Sequence, residues 1–123
     1  MLNKLEEFYF KNEEELNEVF LYLREKIKSF SVNIEELYRY GVPFFYYNGK
    51  PFCYFSVQTG RKVGYIGFVN GHLIDHPKLK ADSRKYVKAY YLYPKENIKI
   101  RELSTIIKTA IKVAEEKRKA KEL

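Results

Sequence analysis

Apolar positions fall into three regimes along the chain. Leu16, Val19, Phe20, Leu23, Ile27 and Phe30 recur at three- and four-residue steps, which is the stripe of an amphipathic helix. Asn12 followed by Glu15 has the form of a capping box and predicts where that helix begins. Ser29 and Ser31 mark its end, and the preceding LEEFYF predicts a further helical turn.

From residue 34 to residue 93 the period shortens. The run ELYRYGVPFFYYNGKPFCYFSV is dense in aromatics and is broken at Gly41–Pro43 and at Asn48–Gly49. An Asn-Gly pair between two aromatic runs predicts a tight hairpin. In Phe52–Gln58, alternation places Cys53, Phe55 and Val57 on one side and Phe52, Tyr54, Ser56 and Gln58 on the other. The first set is the drier and is expected to face the core. Thr59–Gly60–Arg61 predicts a turn and Val63–Val69 a third long strand; Leu73–Ala81 reads as irregular or as a helical turn. Arg84–Tyr93 alternates again, with Lys88 and Tyr90 on one face and Val87, Ala89 and Tyr91 on the other, until Pro94 stops it.

The third regime starts near Ile100. Leu103, Ile106, Ile107, Ala110, Ile111 and Ala114 form a second helical stripe. Beyond Ala114 the residues become charged and the helix is expected to fray. The order of elements predicts one α+β two-layer domain over residues 1–123: an antiparallel meander with the N- and C-terminal helices packed on one face. Its core would lie at about residues 12–114, with a charged tail at 115–123.

Composition narrows the setting. Hydrophobic residues make up 46% of the chain, enough for one core, yet mean hydropathy is −0.49 because 32% of residues are charged. No stretch approaches the ~20 apolar residues of a membrane span. Glutamates crowd the N-terminus where a signal peptide needs an apolar run, and Cys53 is the only cysteine, so a cytoplasmic address fits. The net charge of +7 is uneven: residues 1–40 carry six Lys/Arg against nine Asp/Glu, whereas residues 41–123 carry seventeen against seven. Such an excess is either a solvated helix face or an electrostatic footprint for a polyanion.

Candidate chemistry is sparse. The chain has no G-x-S-x-G, P-loop, H-E-x-x-H or paired Cys/His metal spacing, so a binding module is expected rather than an enzyme. Cys53 reads as a small core residue. His72 and His76 have helical metal-pair spacing, but Gly71 and Pro77 speak for loop histidines instead. Glu13, Glu14, Glu15 and Glu18 crowd the start of the first long helix, where they complement the helix dipole or offer carboxylates to a hard cation. Phe52, Tyr54, Tyr65 and Tyr90 are expected on the sheet face that no helix remains to cover. A tyrosine-rich open face suits a flat ligand, a second copy of the chain or single-stranded nucleic acid. Lys62, Gly64, Tyr65, Gly67, Phe68 and Val69 spell most of an RNP1 signature, the base-stacking strand of RNA-binding domains. Tyr65 and Phe68 are three apart, however, so a regular strand sends them to opposite faces.

Three pieces of the chain, in order, resemble the YdhG-like family of small bacterial domains of unknown function. EELYRYGVPFFYYNGKPFCYFSV is similar to the family's aromatic-Gly-x-Pro run and its following strand. VGYIGFVNGHLIDHPKLK is similar to its next strand and turn, and YYLYPKENIKIRELSTIIKTAIK to its last strand, connector and helix. Tyr40 stands where the family often has Trp, and Lys99 where it often has an acidic helix cap. The resemblance implies a compact α+β fold. Some members have been linked to iron delivery by analogy with frataxin, which implies Fe²⁺ on Glu13, Glu14, Glu15 and Glu18. Alternatively, with a small ligand as the cargo, the turns at Tyr40–Pro43 and Phe68–His72 would line its pocket. Two alternatives stand beside this expectation: a nucleic-acid-binding protein using the tyrosine face and the basic last helix, and a homodimer built on that same face.

Overall fold

The computed structural model describes residues 2–58 and 63–122, with side chains as far as residue 117. The expected turn at Thr59–Gly60–Arg61, and Lys62 of the RNP1-like run, lie outside the described residues. Helices α1 (Lys4–Phe8) and α2 (Glu14–Lys28) come first. Strands β1 (Ile34–Arg39), β2 (Val42–Tyr47), β3 (Lys50–Val57) and β4 (Gly64–Phe68) follow. After a 3-10 turn at Gly71–Leu73 come β5 (Leu79–Lys80), β6 (Lys88–Leu92) and α3 (Ile100–Glu122). All paired strands are antiparallel. The sheet order is β1-β2-β3-β4-β6-β5, a meander through four strands whose last two exchange places. The fold is thus the expected α+β arrangement.

The boundary between α1 and α2 is fixed differently from the capping-box expectation. Glu13, not Asn12, is the N-cap of α2. Asn12 instead ties the two helices together: its Nδ2 donates to the Phe8 carbonyl at 2.8 Å, and its own carbonyl accepts from Asn17 Nδ2 at 3.0 Å. α3 is helical to Glu122, past Ala114 where its apolar stripe ends; Ala, Glu, Lys and Arg are all strong helix formers.

One core lies between the helices and one face of the sheet. Phe55, on the central strand β3, is its hub, with Phe20 of α2, Phe45 of β2 and Tyr9 around it at ring separations of 4.9, 5.1 and 6.3 Å. Leu103, Ile106, Ile107, Ala110 and Ala114 of α3 join the same buried cluster, as do Cys53, Ile66 and Phe68. Burial alone pushes the Cys53 thiol well above its ordinary range, which suits the expected inert core residue.

Two residues expected on the opposite face are in this core. Phe52 is only 1% exposed because the β2–β3 register slips between Phe45 and Tyr46, leaving Phe52 as an extra residue whose side is no longer set by alternation. Tyr90 is 8% exposed and pairs with Ile66, so it shares the core face with Leu79 and Leu92. The alternation expected in β6 holds; its two faces are exchanged. The strand is also shorter than expected, Lys88–Leu92; the carbonyl of Tyr86, just before it, accepts from the His72 N–H of the 3-10 turn.

At the β1 edge a carboxylate points inward. Glu36 shares the core face with Phe45, and its side chain is 2% exposed. It accepts from Arg24 Nε at 2.7 Å, from Lys28 Nζ at 2.9 Å and from the Tyr9 hydroxyl. Burial, and then Glu36, raise the Tyr9 pKa well above the ordinary tyrosine value. An inward charge of this kind blunts an edge strand, because pairing in a shifted register would strand it.

Gly64 tests the close packing of α2 on the sheet. A Cβ there would meet Phe20 Cζ at 2.7 Å and Leu16 Cδ1 at 2.9 Å, and both side chains are fully buried. Gly64→Ala is expected to cost roughly 1–3 kcal/mol as overpacking. Urea denaturation read by circular dichroism checks this, and an unchanged midpoint would show that α2 is free to move away.

Candidate functional site

Among the described residues, the buried side chains of α1, α2 and α3 all belong to the one core cluster, so the helices lie on one face of the sheet. The other face carries a row of rings. Tyr40 meets Phe44 at 5.5 Å, Phe44 stacks on Tyr54 at 4.7 Å with 18° between planes, Tyr54 meets Tyr65 at 6.1 Å, and Tyr65 meets Tyr91 at 5.8 Å. The row crosses β2, β3, β4 and β6 and begins in the β1–β2 turn.

Each ring has a local reason for its place. Phe44, Tyr54 and Gly67 are register partners, as are Ser56, Tyr65 and Tyr91, so parity sends these side chains to the same face. Gly67 opens a space that the Tyr54 ring fills: a Cβ there would lie 2.2 Å from Tyr54 Cζ. Tyr40 and Gly41 have φ of 53° and 80°, repeating the pattern of Asn48 and Gly49 at 48° and 80°. Both pairs are the two-residue hairpin turns that need positive φ twice. Asparagine and glycine suit such positions; tyrosine is uncommon there. Tyr40 is nonetheless 90% exposed, held at the outer end of the row.

Of the residues expected to form the site, Tyr40, Tyr54 and Tyr65 are brought together. Pro43 is buried on the core face opposite Tyr38, and Phe68 is in the core. β4 has no bulge, so Tyr65 and Phe68 point opposite ways, as expected from their spacing. His72 lies in the 3-10 turn against the Tyr86 ring at 5.2 Å. Tyr90 is corrected to the core face, where its hydroxyl donates to Glu102 at 3.4 Å. Burial and then Glu102 push its pKa up to about 12. Glu13, Glu14, Glu15 and Glu18 are exposed at the start of α2. Among the described residues, no three His, Cys, Asp or Glu side chains come together as a metal-binding group.

Three members of the face escaped the sequence reading. Phe44 and Tyr91 follow from strand parity once register is known; Leu92, two residues beyond Tyr90, was the signal that Tyr90 and Leu92 share the apolar side. Arg84 is the third. Its guanidinium stands 5.2 Å from the Tyr65 ring and 3.7 Å from Asp82, which also accepts from the Tyr91 hydroxyl. The sequence reading makes it the first residue of the last strand; it lies instead in the loop before β6, where strand parity does not apply.

One hollow adjoins the row, shallow and apolar, between Val42, Phe44, Val69 and Val87. A cleft of about 230 Å³ lies at the β6 edge, where β5 ends; Val19 of α2, Glu102 of α3 and the core-face residues Tyr90 and Leu92 line it, together with Lys78, Lys80 and Lys99.

The face also has a titration signature. Burial, and then the neighbouring Tyr65 hydroxyl, push the Tyr54 pKa from the ordinary 10.0 up to about 12, while Arg84 pulls the other way. The folded state thus holds this proton more tightly than the unfolded chain, so its contribution to stability is intact below pH 10 and is lost as pH rises toward 12. Tyr54→Phe is expected to flatten part of the decline in denaturation midpoint over that alkaline range. A decline of identical slope in the variant would show that Tyr54 does not carry it.

Comparison of the chain with family models, with curated proteins and with solved structures found no match in any of the three.

Proposed function

We propose that this protein is a binding module that takes a flat, ring-bearing ligand by stacking on its uncovered sheet face. The observation that carries the reading is the unbroken row from Tyr40 to Tyr91 on a face where, among the described residues, no helix packs. Tyrosine suits this task, because its ring offers area to a ligand while its hydroxyl keeps the empty face hydrated. The Arg84 guanidinium beside Tyr65 adds a cation at ring distance.

Tyr40 supports the reading independently. A tyrosine at positive φ in a turn that favours asparagine costs local free energy, and such outliers collect at functional positions. Its ring is held at the end of the row without filling the core. Of the turns that the YdhG-like resemblance assigned to a small-ligand pocket, Tyr40 alone belongs to this row; Pro43 and Phe68 are buried. The iron expectation would use the α2 glutamates, which are not gathered into a metal-binding group among the described residues.

Tyr40→Asn separates function from fold. Relief of the backbone strain offsets the lost contact with Phe44, so stability is expected to stay within about 1 kcal/mol of the parent. Affinity for a ring ligand should fall by roughly tenfold, at the low end of the 1–3 kcal/mol that one stacked ring contributes. Adenosine, neutral and flat, is the probe, and chemical shifts of the tyrosine rings are the readout. Shifts confined to Tyr40, Tyr54, Tyr65 and Tyr91 are expected. Shifts on α2, or none at millimolar adenosine, overturn the proposal. A concentration-dependent dimer that Tyr40→Asn dissociates would instead assign the face to a second copy of the chain.

A further inference from the structure

We infer that β1 is a docking edge for a second copy of this chain, the two β1 strands pairing antiparallel about Leu37. The site is independent of the stacking face and leaves its rings uncovered. β1 is the outermost strand of the sheet, six residues long, and its pairing with β2 runs without a slip. It contains neither lysine nor proline, the residues that commonly protect an edge. The opposite edge, β5, has two residues, too few for a ladder of its own.

Hydrogen-bond parity shows which groups this edge offers. The Asn48 N–H donates to the Asn33 carbonyl at 3.1 Å, and bonded pairs recur every second residue in an antiparallel ladder. Asn33, Glu35, Leu37 and Arg39 therefore bond toward β2, and Ile34, Glu36 and Tyr38 turn their N–H and C=O groups outward. The Ile34 N–H is taken by the Ser31 carbonyl at 3.3 Å, which closes one end of the edge. Arg39 Nη1 donates to the Tyr38 carbonyl at 2.9 Å, so its guanidinium already lies along the other end. Between them, among the described residues, the backbone of Glu36 and the N–H of Tyr38 make no hydrogen bond.

Side-chain order selects the partner and the register. Leu37 is opposite Phe44, so Glu35, Leu37 and Arg39 share the open face. Glu35 and Arg39 are exposed, and neither forms an ion pair among the described residues. With Leu37 at the two-fold axis, Glu35 meets Arg39 of the second copy, and Arg39 meets its Glu35. These are non-bonded pairs of the new ladder, where side chains approach most closely. Glu36 and Tyr38 of the two copies then exchange N–H···O bonds; the Tyr38 carbonyl has a second lone pair for this. Centring the pairing on Glu36 instead would set two Glu36 residues opposite each other and leave Glu35 against Leu37, which like-charge repulsion disfavours. The inward Glu36 thus opposes the wrong register and permits this one. The stretch EELYR is charge-complementary to its own reverse, the requirement of a two-fold interface. Opposite residues share a face, so the two six-stranded sheets become one, with both aromatic rows on the same side.

Sedimentation equilibrium of the full chain, with amide hydrogen exchange, tests this. The mass is expected to rise from one chain to two with concentration, and exchange at the Glu36 and Tyr38 amides to slow in step. Glu35→Arg or Arg39→Glu alone turns two attractive pairs into two repulsive ones and should weaken the dimer roughly thirtyfold. Mixed together, the two variants restore both pairs, so a one-to-one heterodimer near the parental affinity is expected. A single-chain mass up to millimolar concentration overturns the inference, as does exchange at Glu36 and Tyr38 that ignores concentration. So does a dimer indifferent to either reversal, or a mixture no tighter than the variants alone. A dimer that Tyr40→Asn dissociates and the reversals leave intact lies on the aromatic face and overturns it as well.

Discussion

Two neighbouring residues on β3 hold the two sides of this molecule apart. Phe55 points into the core, where Tyr9, Phe20 and Phe45 close around it. Tyr54 points the other way and lays its ring over Gly67. Strand alternation makes the separation obligatory: a register slip of one residue would exchange the faces and send a tyrosine hydroxyl into the core. The central position of β3, paired on both edges, fixes that register from both sides. The edge carboxylate Glu36, bound by Arg24 and Lys28, opposes a slip at β1 as well.

The consequence is a sheet covered on one face. Among the described residues, α1, α2 and α3 place their buried apolar side chains in the same cluster. The second face is left with rings that tolerate water. Lys78, Lys80 and Lys99, from the basic part of the chain, line the cleft at the β6 edge together with Glu96 and Glu102, in segments that no periodicity singled out.

The two readings of the RNP1-like letters also resolve physically. Tyr65 and Phe68 lie on opposite faces of an unbulged strand, so the signature's geometry is absent. An aromatic platform exists all the same, assembled across strands from Phe44, Tyr54, Tyr65 and Tyr91 in place of alternate positions on one strand. Such a platform leaves no linear motif, because its members meet only after four strands have paired.

By itself the sequence determined what depends on local periodicity. The stripes Leu16–Phe30 and Leu103–Ala114 specified two long helices, Asn48–Gly49 specified a hairpin, and alternation specified the opposite directions of Tyr54 and Phe55. These follow from 3.6- and 2-residue repeats and from turn sterics, which are properties of short stretches. Tertiary structure alone decided which parity of β6 meets the core, since Tyr90 and Tyr91 are chemically alike and only pairing with Ile66 and Tyr65 distinguishes them. It decided that the β2–β3 bulge leaves Phe52 in the core, and that β6 enters the sheet before β5. It also brought Lys78, Lys80 and Lys99 to one cleft and Arg84 to Tyr65. Those arrangements join residues distant in sequence, and their energies come from register and packing, to which no local pattern is sensitive.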